Sequence, residues 1–373
     1  MILLKDGEVK TYHGFHDAIA FLQKQREEDV WVRVPINQLQ VHPLPNNPIC
    51  LNLIMQEKEI SSSEEAVLSA MGDTNILLSY PDRTGIKTMP IRSTAITSLK
   101  ERAKLNGSAL NKMPCEKRAI TLNCGLEVWN ELGLVLIRDE KISAIHSGDD
   151  ADYSVLPMDM LLTSLQKELE QKYAGYKLQS IEVGHEMTIA TIELPDILLE
   201  EFNKKLKAKG RKQIIGKAIL KFASSDVGVC GANLYPYIKV DSSFVRVGKM
   251  LQVRHKNRAS VEDFENNIQN LFTIFKESNL LNLLDYKVQN PYGCFLAIAK
   301  KCGLPKKASL DAAEDFEAFR PVECFAYDVY MGLWEIMRYI NAENEHQRLN
   351  IEENISRAMN IDYASYDHAF EWL

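Results

Sequence analysis

Residues 203–222, NKKLKAKGRKQIIGKAILKF, hold eight Lys or Arg and no Asp or Glu. Such a run can neutralise phosphates and release their counterions, which is the electrostatic footprint of nucleic-acid binding. The strand-like runs after it add a second chemistry. Alternate residues of a strand face opposite sides. That rule sets Ala218, Leu220, Phe222, Leu234, Ile238 and Val240 on one side. Lys217, Lys221, Tyr235, Tyr237 and Lys239 fall on the other, and across 243–254 Phe244, Arg246 and Arg254 share a side. A face mixing rings and cations suits single strands, because stacking on an aromatic ring contributes about 1–3 kcal/mol per base whatever the base. The pattern predicts phosphate contacts from Lys204, Lys205, Lys207, Lys209, Arg211, Lys212, Arg246, Arg254, Lys256 and Arg258. Tyr235, Tyr237 and Phe244 are the predicted stacking residues. The plainer reading is a half-buried sheet whose Lys and Tyr lie against helices or against an acidic part of the same chain.

Other chemistry-bearing groups are sparse. No GxxxxGK[ST] phosphate loop occurs. Gly228 and Gly231 in SSDVGVCGANLYP form a GxxG, more simply read as a loop between strands. His13 and His16 are three apart but lack nearby Cys or acids to complete a metal site. Asp149, Asp150 and Asp152 beside His146 could hold magnesium for nuclease chemistry, though a solvated acidic loop is the simpler account. His185 in VGHEM lacks the second His of a zinc-protease motif, and Cys230 lacks an identifiable base. No catalytic residue, metal or cofactor is assigned.

The chain has 373 residues and a net charge of −7, but the charge is polarised. Residues 202–258 hold fourteen Lys and Arg against two acids, while 309–373 hold fourteen acids against four Lys and Arg. Local potential, not the total, steers partners. The two oppositely charged segments are therefore expected to meet, within one copy or between copies. Seven scattered Cys form no CxxC pair, and charges interrupt the apolar start MILLKDGEVK. These point to a reducing cytoplasm, no signal peptide and no membrane span.

The elements that must position these groups read as α+β: antiparallel sheets with flanking helices in the N-terminal and middle regions, then an all-helical C-terminal part. Three regions are expected: 1–92, 93–258 with the basic strand face, and an acidic 259–373. A first hairpin is predicted from ILL and VKTY around KDGE, and a second in LGLVLIRDEKISAI turning at Asp139-Glu140. Ser93 is read as a helix cap before ITSLKERAKLNG, and Ser260 with Asp263 as a cap before DFENNIQNLFTIF. Strands are predicted at 177–183, 186–194, 213–223, 233–240 and 243–254, the last two joined by a tight turn at Asp241-Ser242. A helix over 197–210 carries the lysines, with Ile197, Leu198, Phe202 and Leu206 on its apolar side. A late helix is predicted to begin at Pro321.

Four segments in this order also carry a family resemblance. NCGLEVWNELGLVLIRDEKISAIHSGDDADYSVLPMDMLL, SSDVGVCGANLYPYI, LQVRHKNRASVEDFENNI and CFAYDVYMGLWEIMRYI together resemble the phage/plasmid-like proteins grouped as domain of unknown function 932. The resemblance covers roughly residues 90–365. Where the family shows a CxNTL stretch, this chain has VGKMLQ. The resemblance implies a phage or mobile element, a host-cell cytoplasm, and a setting in DNA replication or recombination. The helix–two strands–helix–three strands order is similar to that of phage annealing proteins, which implies a homo-oligomer. The sequence thus predicts a non-enzymatic single-stranded DNA-binding protein, an annealing or recombination factor. The alternatives are a phage protein that docks an acidic host protein on its basic face, and a metal-dependent nuclease using Asp149–Asp152.

Overall fold

The structure is a computed structural model that describes residues 2–105, 107–210, 216–240, 243–276, 279–319, 324–342 and 344–372. Its first strands are β1 (Lys10–Tyr12), β2 (Val30–Pro35), β3 (Gln40–Pro43), β4 (Ile76–Asp82), β5 (Gly85–Pro90), β6 (Leu132–Arg138) and β7 (Lys141–Ser147). The middle of the chain adds β8 (Lys177–Val183), β9 (Thr188–Leu194), β10 (Lys217–Ser224), β11 (Ala232–Val240), β12 (Ser243–Arg246) and β13 (Leu251–Val253). The largest sheet runs β1–β8–β9–β10–β11–β12, with β13 also paired to β11. Two three-stranded sheets, β2–β6–β7 and β3–β4–β5, are formed by the chain between β1 and β8. Every ladder joining these strands is antiparallel. The architecture is mixed α+β, as the sequence predicts.

Alternation along β10 and β11 decides what each face of the large sheet meets. Ala218, Leu220, Phe222, Leu234 and Ile238 are buried on one side. Phe222 packs edge-on against Phe264 of the helix Val261–Gln269, with ring centroids 5.5 Å apart. That helix has the predicted cap: Ser260 Oγ accepts from the Asp263 amide, and the Asp263 carboxylate accepts from the Ser260 amide. The helices Phe15–Glu28 and Met158–Lys172 continue the layer. The opposite face lies under two C-terminal helices, Ala326–Glu335 and Glu345–Arg357. There Trp334 meets Tyr237 edge-on at 6.3 Å.

Several expectations need correction. The first hairpin does not form: β1 pairs with β8, Thr11 opposite Glu182, and the Leu3 amide donates to Asp139 Oδ1 at 2.5 Å. An isolated hairpin of such short arms is marginal, whereas an edge of an existing sheet pairs the same backbone groups at once. Nor do the regions divide at 92/93, because β2 pairs with β6 across that point. Residues 30–147 instead form one α+β unit around the two small sheets, while β1 and the helix Phe15–Glu28 pack with the large sheet. The run 243–254 is two strands, β12 and β13, with Gly248 between them passing so close to Ile274 that a Cβ would lie 2.3 Å from its Cγ2. Ser93 caps nothing; its amide donates to Asp73 Oδ2. The C-terminal part is helical apart from a two-stranded ribbon, β14 (Lys287–Val288) with β15 (Cys324–Phe325), after which the helix begins at Ala326. Pro321 and the Asp241-Ser242 turn lie outside the described residues.

The second hairpin is as predicted, with Asp139 (φ 49°) and Glu140 (φ 61°) both left-handed as a tight two-residue turn requires. Beside it, Arg138 is buried and ties three elements together. Its Nε donates to Asp29 Oδ1 at 2.9 Å, and Nη2 donates to Asp29 Oδ2 at 2.5 Å and Asp226 Oδ2 at 2.7 Å. Burial alone would favour losing its charge, but the two carboxylates hold the guanidinium ionised more firmly than usual. Asp6 makes a similar knot with Arg92, Lys141 and Ser69.

Candidate functional site: a lysine helix and a polar cleft

The structure separates the predicted site residues into three groups. The first is the helix Ile197–Ala208. Leu199, Phe202 and Leu206, at helical spacing, are its buried stripe, while Ile197 is exposed. Lys204, Lys205, Lys207 and Lys209 are exposed along the remaining surface. Their place in the last turns complements the helix dipole, and Gly210 at φ +77° ends the helix. Lys209 pairs with Asp285. Arg211 and Lys212 lie outside the described residues.

The second group is not a surface at all, and here the expected stacking platform is corrected. Tyr235 is 4% exposed, and Tyr237 and Arg246 are 0% exposed. The Arg246 guanidinium lies over Tyr235 at 4.5 Å and Tyr237 at 5.5 Å, and its Nη2 donates to Glu353 Oε2 at 2.7 Å. Tyr237 Oη donates to Glu352 Oε2 at 2.5 Å, and Lys221 Nζ lies 3.8 Å from Glu352 Oε1. Burial, then the Glu352 charge, push the Tyr237 hydroxyl well above the usual phenol range. Phe244 is half-buried beneath Lys221 and Lys239. So the ring faces are covered by Arg246 and its Nη2 is held by a carboxylate of the Glu345–Arg357 helix, while its Nε and Nη1 lie buried over the rings without a hydrogen-bond partner. The acidic C-terminal region does meet the basic strand face, as its charge predicts, and it meets it within one chain.

The third group, Arg254 and Lys256, stands at a cleft of about 1160 Å³, with Arg258 exposed just beyond. Three of the segments that carried the family resemblance converge here: 146–153, 228–231 and 252–256. Asn257 and Arg258, both left-handed at φ 59° and 58°, turn the chain so that their amides donate to the Ala151 and Asp150 carbonyls. His146, Tyr153 and His255 form one stack in the wall, with centroids 3.5 and 5.2 Å apart and planes within 6°. Asp226 anchors it: its carbonyl accepts from His146 Nε2 at 2.7 Å and from Tyr153 Oη at 2.8 Å. The buried Arg138 in turn holds the Asp226 carboxylate.

These contacts fix the protons. With Nε2–H donating, His146 is a neutral imidazole, and burial pushes it down to about 4. His255 Nδ1 donates to the Ser154 carbonyl at 2.9 Å, and burial lowers it as well. Its Nε2 is therefore a lone-pair acceptor, buried and without a hydrogen-bond partner. Arg102, which also lines the cleft, has a buried Nε with no partner.

The weaker motifs resolve into structure. Asp149 Oδ1 accepts from the Ala151 amide, Asp150 pairs with Arg33, and Asp152 accepts from Ser147, so the acidic loop is held by its own turn and one arginine. No group of three or more His, Cys, Asp or Glu is arranged to hold a metal among the described residues. Gly231 is required by close approach, since a Cβ there would sit 2.4 Å from the Val253 carbonyl oxygen. Burial pushes the Cys230 thiol up to about 12, which removes its nucleophilicity near neutrality. His185, 8% exposed, donates Nε2–H to the Leu4 carbonyl and fastens the N-terminal segment. His13 and His16 are exposed, on the Gln179 carbonyl and Asp17 respectively. Tyr153, His255, Arg102 and Arg138 escaped the sequence reading. Their only sequence signal is that each lies in or beside a Gly-, Ser- or acid-rich loop segment, and nothing in one sequence says that these segments touch. No protein-family model, curated protein or solved structure matches the chain.

Proposed function

We propose that this chain is a non-enzymatic nucleic-acid-binding protein of a phage or mobile element. Single-stranded DNA is its substrate, and annealing or recombination by a homo-oligomer is its setting. One observation carries the reading: an acidic chain exposes Lys204, Lys205 and Lys207 side by side on a single helix. Surface cations so grouped attract polyanions more than they stabilise a fold. With Tyr235 and Tyr237 covered, these lysines act on phosphates and the two rings take no part. No helix among the described residues is long and apolar enough to cross a bilayer.

Fluorescence anisotropy of a labelled thymidine oligonucleotide, titrated at several salt concentrations, tests the proposal. Three phosphate contacts give a log–log slope of about −2, at roughly −0.7 per contact. Replacing Lys204, Lys205 and Lys207 by Gln should flatten it toward zero. No binding at low salt, or a slope that the triple variant leaves unchanged, would overturn the assignment. The covered rings make the lysine surface purely electrostatic, so an acidic host protein is the second reading. Capture of an acidic protein that free oligonucleotide does not displace would favour it.

A further inference from the structure

The polar cleft is a separate site that the lysine-helix reading does not use. Its lining carries five cations and five acids: Arg33, Arg102, Lys104, Arg254 and Lys256 against Glu101, Glu131, Asp149, Asp150 and Asp152. A plain polyanion gains little from such a balance. The charges are not mixed at random, however. Arg33 pairs with Asp150 and Lys104 with Glu131, and Asp149 and Asp152 accept hydrogen bonds within their own loop. Arg254 Nε donates to Gln252 Oε1 at 2.9 Å, which leaves its terminal nitrogens, with Arg102 and Lys256, to meet an anion against the remaining lining acid, the exposed Glu101; Arg102 also has a buried N–H that nothing accepts. The neutral His255, 7% exposed, supplies the complementary group, an acceptor that nothing donates to. Buried polar groups are rarely left unpaired, and each one here calls for a partner. An occupant satisfying both would have an anionic end and an N–H donor end, and about 1160 Å³ leaves ample room for a small ligand.

We infer that the cleft binds a nucleoside monophosphate unit, with its phosphate on Arg102, Arg254 and Lys256 and a base N–H donating to His255 Nε2. The unit is either a free nucleotide or the 5′-phosphorylated end of a strand. A phosphate monoester, close to doubly charged at neutral pH, suits these cations better than a backbone diester does. No bond is made or broken in this assignment.

Calorimetric titration of the intact protein with adenosine 5′-monophosphate, adenosine and inorganic phosphate tests it. The monophosphate should bind at least tenfold more tightly than either part alone. Replacing Arg102, half-buried, and Lys256, exposed, by Gln should weaken the monophosphate tenfold or more while the far-ultraviolet circular dichroism stays that of the intact fold. His255→Phe keeps a flat ring in the stack but removes the acceptor. If it folds, it should lose affinity for the nucleotide and not for phosphate. Equal binding of nucleotide and inorganic phosphate, or indifference to the Arg102 and Lys256 changes, would overturn the inference. The two sources separate with oligonucleotides: a tenfold preference for a 5′-phosphorylated strand over its 5′-hydroxyl form identifies the strand end, and equal affinities identify the free nucleotide. If nucleotides fail while salt-dependent oligonucleotide binding persists on Lys204, Lys205 and Lys207, the cleft assignment falls and the nucleic-acid reading stands.

Discussion

Replacing Arg138 by leucine removes the one cation between Asp29 and Asp226, whose side chains are 6% and 13% exposed. Breaking a buried ion pair from one side costs about 3–5 kcal/mol, because a charge is left without a partner. The chain has one escape, which sets a ceiling. An orphaned carboxylate can take up a proton, and at pH 7 that costs about 4 kcal/mol for an Asp of ordinary pKa near 3.9. The two carboxylates flank one vacancy, so neutralising the first relieves the second. A loss of about 4 kcal/mol at pH 7 therefore follows, shrinking to about 1.5 kcal/mol at pH 5, where the proton is cheaper. Urea unfolding followed by circular dichroism reads this directly. With a slope of about 2–3 kcal/mol/M, the midpoint should drop by about 1.5–2 M at pH 7 and by much less at pH 5. A companion variant carrying Asp29→Asn and Asp226→Asn as well removes the buried charges altogether and should recover part of the loss. A shift under about 0.5 M at pH 7, or one independent of pH, would refute the claim that Arg138 acts as a buried charge clamp.

Two further outcomes follow from other buried groups. His146, pushed to about 4, His185, pushed to about 3, and His255, also lowered, are all depressed by burial. The unfolded chain then binds more protons below about pH 6.5, so their contribution is full above that value and is lost as pH falls toward 4. For His146 alone the loss approaches about 3 kcal/mol, at about 1.4 kcal/mol per unit, and a urea midpoint flat from pH 7 to 4.5 would contradict it. Tyr237→Phe deletes a hydroxyl that donates to the buried Glu352 carboxylate. It should cost about 1–3 kcal/mol of stability and leave oligonucleotide affinity unchanged; a stable variant with weakened binding would mean that the ring does contact nucleic acid.

What the sequence made legible follows from how local each signal is. The Asp139-Glu140 hairpin, the Ser260–Asp263 cap and the strand alternation in 217–240 depend on a few neighbouring residues, and all three stand in the structure. The alternation even assigns Lys221, Tyr235 and Tyr237 to one face correctly. What it cannot carry is what covers that face: Glu352 and Glu353 lie more than 100 residues away and mark themselves only by charge. A face of Tyr, Lys and Arg reads alike whether carboxylates of a distant helix or phosphates of a ligand complete it. The N-terminal strand misled for the same reason, since Lys10–Tyr12 finds its partner in Val183 and its neighbours, far along the chain. The cleft is the extreme case. His146 sits near the end of a strand while Asp226 and His255 sit in segments of unremarkable loop character, and only the β6–β7 hairpin, the loop after β10 and the turn after β13 bring them together.

In the proposed function nucleic acid meets the outside of this protein while the ring-bearing strand face stays covered by its own acidic helix. Hydrogen exchange with and without a saturating thymidine oligonucleotide tests this most directly. Exchange should slow in residues 199–210 and stay unchanged in 232–240 and in Glu345–Arg357. Faster exchange across Glu345–Arg357 together with slower exchange in 232–240 would contradict it, for the helix would then be leaving and the strand would be taking its place against the bases.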